Sequence, residues 1–189
     1  MREPVNSVAV RLPGWVAEVV DYGRSYETDE ARMGVAVRLA AENVQRDTGG
    51  PFGAAVFEAA TGTLVSVGVN RVVPLNNSSL HAEIIALMLA QARIATYSLG
   101  DNIAHELFSS CEPCAMCLGA THWSGVSRVV WAATREDAGR LHFDEGPVFQ
   151  ATYDYLSARG IQFEAGPLRS AARDILARYG EAGGEIYNG

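Results

Sequence analysis

The sequence predicts a three-layer α/β/α domain built on a central mixed sheet of five strands. Apolar runs of strand length alternate with segments at the helical period, in an order that opens ββαβαβ and continues with further helix and strand. Two neighbouring runs flank a turn and make a hairpin, which mixes antiparallel pairing into an otherwise alternating pattern. The chain has 189 residues, 48% hydrophobic and 20% charged. That length buries roughly 70% of the surface its unfolded form exposes, so one core forms without disulfides, and the composition excludes a disordered chain.

Residues 1–28 carry no clear period; Leu12-Pro13-Gly14 is a turn, and residues 15–20 suggest a short helix. Thr28 is an N-cap candidate for a helix over 29–45, whose apolar positions are Met33, Val37, Leu39, Ala40 and Val44. Thr48-Gly49-Gly50-Pro51 stops it. Residues 53–57 and 63–69 form the hairpin around Thr61-Gly62. A loop over 74–79 leads into a helix over 80–95. A strand follows at 106–109, then a helix starting at Pro113, since proline suits the first helical position. A strand at 126–132, a helix at 147–158, a strand at 161–163 and a helix at 170–179 complete the order. No repeat or linker divides the chain, so 1–189 reads as a single domain with 1–28 as an N-terminal extension and 181–189 as a C-terminal tail.

Charge and cysteine usage narrow the function. Lys and Arg number 15 against 22 Asp and Glu, a net charge of −7, which disfavours a nucleic-acid partner because such affinity is built mainly at phosphates. No apolar run approaches the roughly 18 residues of a membrane span. The short run Val8-Ala9-Val10 is interrupted by Arg11, unlike a signal peptide. The expectation is a cytoplasmic protein with no membrane partner. Three cysteines, Cys111, Cys114 and Cys117, point to metal or redox chemistry in a reducing compartment.

Two short segments at predicted helix starts carry the chemistry: His81-Ala82-Glu83 and Pro113-Cys114-Ala115-Met116-Cys117. Cys114 and Cys117, spaced i and i+3, share one face of a first helical turn, where the helix dipole favours thiolates. With His81 they make three zinc ligands and leave the fourth tetrahedral position open, as a catalytic zinc requires. Glu83 lies close enough to lean over that position and take a proton from water. A structural Cys₃His site using Cys111 is the competing reading. An iron–sulfur site lacks a fourth cysteine. Cys111 is taken as a buried strand-end residue.

The pattern His-x-Glu followed by Pro-Cys-x-x-Cys is the signature of the zinc nucleoside and nucleobase deaminases, and the chain resembles that family over about residues 49–148. The resemblance implies a cytidine-deaminase-like fold, one zinc ion per subunit, hydrolytic loss of an exocyclic amine as ammonia, and a homodimer. Its flanks, Gly49-Gly50-Pro51-Phe52-Gly53-Ala54, Asn70-Arg71 and Ser110-Cys111-Glu112-Pro113-Cys114 with Trp123 beyond, are similar to bacterial guanine deaminases. Guanine converted to xanthine is therefore the expected reaction. Cytosine, a nucleoside, an amino-triazine or a tRNA adenosine are the alternative substrates, and a non-catalytic zinc fold is the alternative class.

The same resemblance implies substrate contacts at Phe52, Asn70, Ala82, Trp123 and Tyr187. Phe52 and Trp123 would sandwich the base, and Asn70 would meet its edge. An acidic residue at Asp144 or Glu145 would read the purine and help move protons, and the distance from Trp123 favours Glu145 as the second catalytic carboxylate. Tyr187, in the C-terminal tail, would help to cover the site.

Overall fold

The computed structural model describes residues 5–188; the outermost ends of the N-terminal extension and the C-terminal tail lie outside the described residues. Its elements in chain order are α1 (Val16–Val19), α2 (Asp29–Gln45), β1 (Gly53–Glu58), β2 (Leu64–Val69), α3 (Val72–Leu75), α4 (Ala82–Ile94), β3 (His105–Cys111), α5 (Ala115–Ser124), β4 (Arg128–Ala133), α6 (Arg135–Gly139), α7 (Gln150–Ser157), β5 (Gln162–Ala165) and α8 (Arg169–Glu181). The five strands form one sheet in the order β2-β1-β3-β4-β5. β1 pairs antiparallel with β2 and β3, while β3, β4 and β5 run parallel. The predicted three-layer mixed sheet is thus the architecture observed.

Each sheet face buries its own core. Met33, Ala36, Leu39 and Ala40 of α2 pack with Ile175 and Leu176 of α8 against Phe57, Phe108 and Val130. Ala86, Leu87 and Ala90 of α4 and Leu118 of α5 pack on the other face, against Val56, Leu107 and Val129. The α2 helix starts where Thr28 predicts it, with the Thr28 side chain accepting from the Ala31 N–H at 3.2 Å. Helix α4 lies so close to β2 that a Cβ on Gly68 would meet the Ala82 carbonyl oxygen at 2.0 Å. Ala82 itself is fully buried in that contact.

The short helices α3 and α6 are absent from the sequence reading because four or five residues are too few to show a period. Helix α5 starts two residues later than Pro113 suggests, since Cys114 takes the extended N-cap conformation, φ −69°, ψ 174°. Among the described residues, no helix is long and apolar enough to cross a membrane.

Candidate active site

The site lies where two helix N-termini meet the C-terminal end of β3. His81 is the N-cap of α4, with φ −68° and ψ 157°, and Cys114 is the N-cap of α5. Because His81 sits outside the helix proper, the roughly 200° that would separate it from Glu83 on a helical wheel does not apply. The two side chains can therefore address one point.

The His81 Nδ1 atom lies 3.6 Å from the Cys114 sulfur and 3.7 Å from that of Cys117. A tetrahedral zinc with Zn–S of about 2.3 Å and Zn–N of about 2.0–2.1 Å spaces such donors by about 3.6 Å, so the three residues fit the ion. All three donor atoms fall within 4.8 Å of one another. The zinc-binding set is His81, Cys114 and Cys117. Cys111 stays outside it: its buried thiol is directed at the Thr134 carbonyl at 3.6 Å, so the Cys₃His alternative falls away.

The local electrostatics suit a metal site. The Cys117 thiol donates to the Cys114 sulfur, and with His81 nearby this holds Cys114 at about 4, against the opposing effect of burial. Glu83 is 6% exposed, and its carboxylate accepts from the Ser109 hydroxyl at 3.1 Å. Burial raises its pKa, and the neighbouring Cys114 charge adds to that rise. The Glu145 carboxyl is pushed up to about 8 by burial and by the charges of Cys114 and Glu83.

Phe52, His81, Glu83, Cys111, Glu112, Glu145, Tyr187 and Asn188 line a cavity of about 10 Å³ at this point. That is room for no more than one water. Phe52 packs edge-on against Phe143, and Phe143 against Tyr187, each with ring centroids 5.2 Å apart. The tail is tied down beside them, with the Asp144 N–H donating to the Asn188 carbonyl at 3.1 Å.

Asn70 is fully buried, and its Oδ1 accepts from the Val72 N–H at 3.2 Å. Its Nδ2 and the Tyr187 hydroxyl have no hydrogen-bond partner. Both groups bracket Gly50: a Cβ there would stand 2.9 Å from the Tyr187 hydroxyl and 3.1 Å from Asn70 Oδ1.

Other expectations are corrected. Trp123 is 80% exposed and packs beside His122 at 4.9 Å. It stands six residues after Cys117 on α5, about 240° around the helix, so it faces away and forms no sandwich with Phe52 within one chain. Asp144 is exposed, and its Oδ1 accepts from the Gly146 N–H at 2.8 Å, whereas Glu145 lines the cavity. Ala82 supplies backbone and packing at the start of α4 but does not line the cavity.

Sequence reasoning missed Ser109, Glu112, Phe143 and Asn188. Glu112 has the clearest sequence context, standing next to Pro113 in the cysteine motif. It accepts from the Tyr153 hydroxyl at 2.7 Å and from the Arg135 N–H at 3.1 Å, which ties the cysteine turn to α6 and α7.

Three donors set for zinc and a carboxylate able to hold a proton beside them put this fold in the class of hydrolytic zinc deaminases. Residues 26–133 match the family described as the cytidine and deoxycytidylate deaminase zinc-binding region, and the chain belongs to that family. It is 38% identical over 128 residues to the guanine deaminase of Bacillus subtilis, covering 68% of this chain and 79% of that protein. The structure superimposes on the guanine deaminase from Nitrosomonas europaea with a TM-score of 0.88 and 42% identity, over 95% of this chain and all of that one. A related chain crystallised in complex with 2,6-diaminopurine gives a TM-score of 0.90 and 44% identity, covering 97% of each chain. Similarity thus extends well beyond residues 49–148, into the N-terminal segment and the tail.

Proposed function

We propose that this chain is a zinc-dependent guanine deaminase, converting guanine and water to xanthine and ammonia. The observation that carries the reading is the His81, Cys114 and Cys117 donor set with Glu83 beside it, in a chain similar over nearly its whole length to a guanine deaminase.

Zinc bound there supplies a Lewis acid that makes hydroxide available near neutral pH. Glu83 accepts the proton released as water adds to the amine-bearing carbon of the base, then returns it to the ring nitrogen. Its burial favours this, since the raised pKa stabilises the protonated carboxyl. Glu145, held at about 8, carries a proton at neutral pH; it donates to the purine edge and assists departure of ammonia. Asn70 offers its free amide N–H to an acceptor on the base, and Phe52 covers a ring face. The tail carrying Tyr187 and Asn188 lies over the site, and the cavity of about 10 Å³ has to widen for a base to enter.

Two wider readings go with this one. Zinc thiolates need reduced cysteines, which favours a cytoplasmic enzyme. Met116 and Trp123 on α5, with Met88 on α4, are exposed apolar side chains suited to a second copy in a homodimer; sedimentation at several concentrations tests this.

The deciding experiment is ammonia release by the zinc-loaded chain from guanine, cytosine, adenosine and amino-triazines, with xanthine identified as product. Turnover of cytosine in preference to guanine would overturn the substrate assignment. No release from any of them would leave a non-catalytic zinc fold.

A further inference from the structure

Asn70 stands beside Gly50 and the Tyr187 hydroxyl, just outside the cavity lining, and residues farther from the site hold it from behind. Asn43, near the end of α2, is 0% exposed. Its Nδ2 donates to the Gly50 carbonyl at 2.8 Å and to the Asn70 carbonyl at 3.0 Å. Both amide hydrogens are used, and one side chain thereby bridges the Gly49-Gly50 turn and the residue that follows β2. Its Oδ1 accepts from the Thr48 hydroxyl at 2.8 Å. The Thr48 hydroxyl in turn accepts the indole N–H of Trp15 at 3.0 Å. The Arg71 guanidinium closes the ring by donating to the Thr48 carbonyl.

On the site side, the Asn70 N–H donates to the Phe52 carbonyl at 3.0 Å and its Oδ1 is taken by Val72. Only Nδ2 is left over. The result is a continuous hydrogen-bonded chain, Trp15 to Thr48 to Asn43 to Asn70, ending on one buried amide nitrogen whose hydrogens have nothing to bond. The side-chain polar atoms of Trp15, Thr48 and Asn43 are all paired, which holds those residues in one arrangement, and a binding group is useful only when held to within about 0.5 Å. Trp15 lies outside the matched zinc-binding region at 26–133, so the segment ahead of that region takes part in building the site.

We propose that Trp15, Thr48 and Asn43 are positioning residues that set where Asn70 presents its free amide N–H to the substrate. The inference rests on the reading of Asn70 as a base contact. Loosening the chain removes binding shared by ground and transition states, which appears in KM and spares kcat.

The test uses the zinc-loaded full chain with guanine. Thr48→Val keeps the side-chain shape and removes the hydroxyl. It should raise KM about fivefold, the scale of one lost hydrogen bond, with kcat within about twofold and zinc content unchanged. Thr48→Ser, which keeps the hydroxyl, should restore KM. In an Asn70→Ala background, Thr48→Val should add nothing further, because its route to the substrate is already cut.

An unchanged KM in Thr48→Val, alongside a raised KM in Asn70→Ala, overturns the proposal. So does a Thr48→Val effect that persists undiminished in the Asn70→Ala background, which would mark a general structural role. If Asn70→Ala itself leaves KM unchanged, the base contact at Asn70 falls and this inference falls with it. Absence of guanine turnover by the wild-type chain would sink the substrate assignment, and this inference too. Should Thr48→Val not fold, Trp15→Phe removes the indole N–H together with part of a buried ring; read on protein shown to be folded, it should raise KM about twofold, an effect again lost in the Asn70→Ala background. No rise there counts against the proposal.

Discussion

The two ends of strand β3 both bury polar groups, and they treat them in opposite ways. At its start, the Glu106 carboxylate meets Arg32 at 2.5 Å and Arg128 at 3.4 Å. Arg32 also donates to the carbonyls of Tyr26 and Ala59, and Arg128 pairs with Asp29 and Glu164. Those contacts leave the carboxylate and both guanidinia with partners. At the strand's other end, Glu83 has one hydroxyl partner from Ser109, while Asn70 Nδ2 and the Tyr187 hydroxyl have none. Burying a polar group without a partner costs about 1–3 kcal/mol. The first end uses buried polarity to hold the sheet and its helices together. The second leaves hydrogen-bonding groups without partners in this chain, which is what the proposed substrate contacts would use.

The largest test of this contrast is Glu83→Gln. Turnover should fall about 10²- to 10⁴-fold with zinc retained by metal analysis; activity near wild type would remove Glu83 from the proton path. Glu106→Gln probes the other end and leaves the buried Arg32 guanidinium without a carboxylate, while Arg128 keeps Asp29 and Glu164. It should lower stability by roughly 3–5 kcal/mol, read as a fall in melting temperature of about 10 °C, with kcat of the folded protein kept. A loss of kcat without a loss of stability would invert the comparison.

Asp137 gives a smaller, pH-dependent effect. Burial would raise its carboxyl, but Arg169 and the Thr134 cap outweigh this and hold it at about 2, against an ordinary 3.8. Since its folded pKa lies below the unfolded one, the stabilisation is complete above about pH 4 and is lost as pH falls through about 2. Asp137→Asn should cost roughly 1–3 kcal/mol at pH 7. The wild-type and variant melting temperatures should converge between pH 4 and 2; a constant gap would show that the charge is not what stabilises. The smallest expected effect is Tyr187→Phe, which deletes an unpartnered hydroxyl. Its melting temperature should stay level or rise, with KM for guanine up a few-fold. A clear drop in melting temperature would mean that the hydroxyl is structural.

How far the sequence was legible follows from the range of each interaction. The zinc donors and Glu83 stand at fixed short spacings on helix starts, where local geometry decides which way a side chain points, and the spacing was enough to find them. The fold was legible for a similar reason: α2 shows its period over 17 residues and a Thr28 cap. Trp123 failed because a sequence match says nothing of the turn around α5 that carries the ring to the exposed side. Asn43 had no local signal at all, and Glu112, though it stands in the cysteine motif, showed nothing of its role. Each acts through partners on other elements, 23 to 41 positions away for Glu112 and 27 positions away in the case of Asn43 and Asn70.

By itself, then, the sequence determined the layer architecture, the family and the metal donors, because period, capping and motif spacing are local properties. Only the tertiary structure decided which acidic residues line the cavity, which residues of the tail line it with them, and what holds Asn70 in place. Those outcomes depend on which buried groups find partners across the fold and which are left without one, and no local pattern records that.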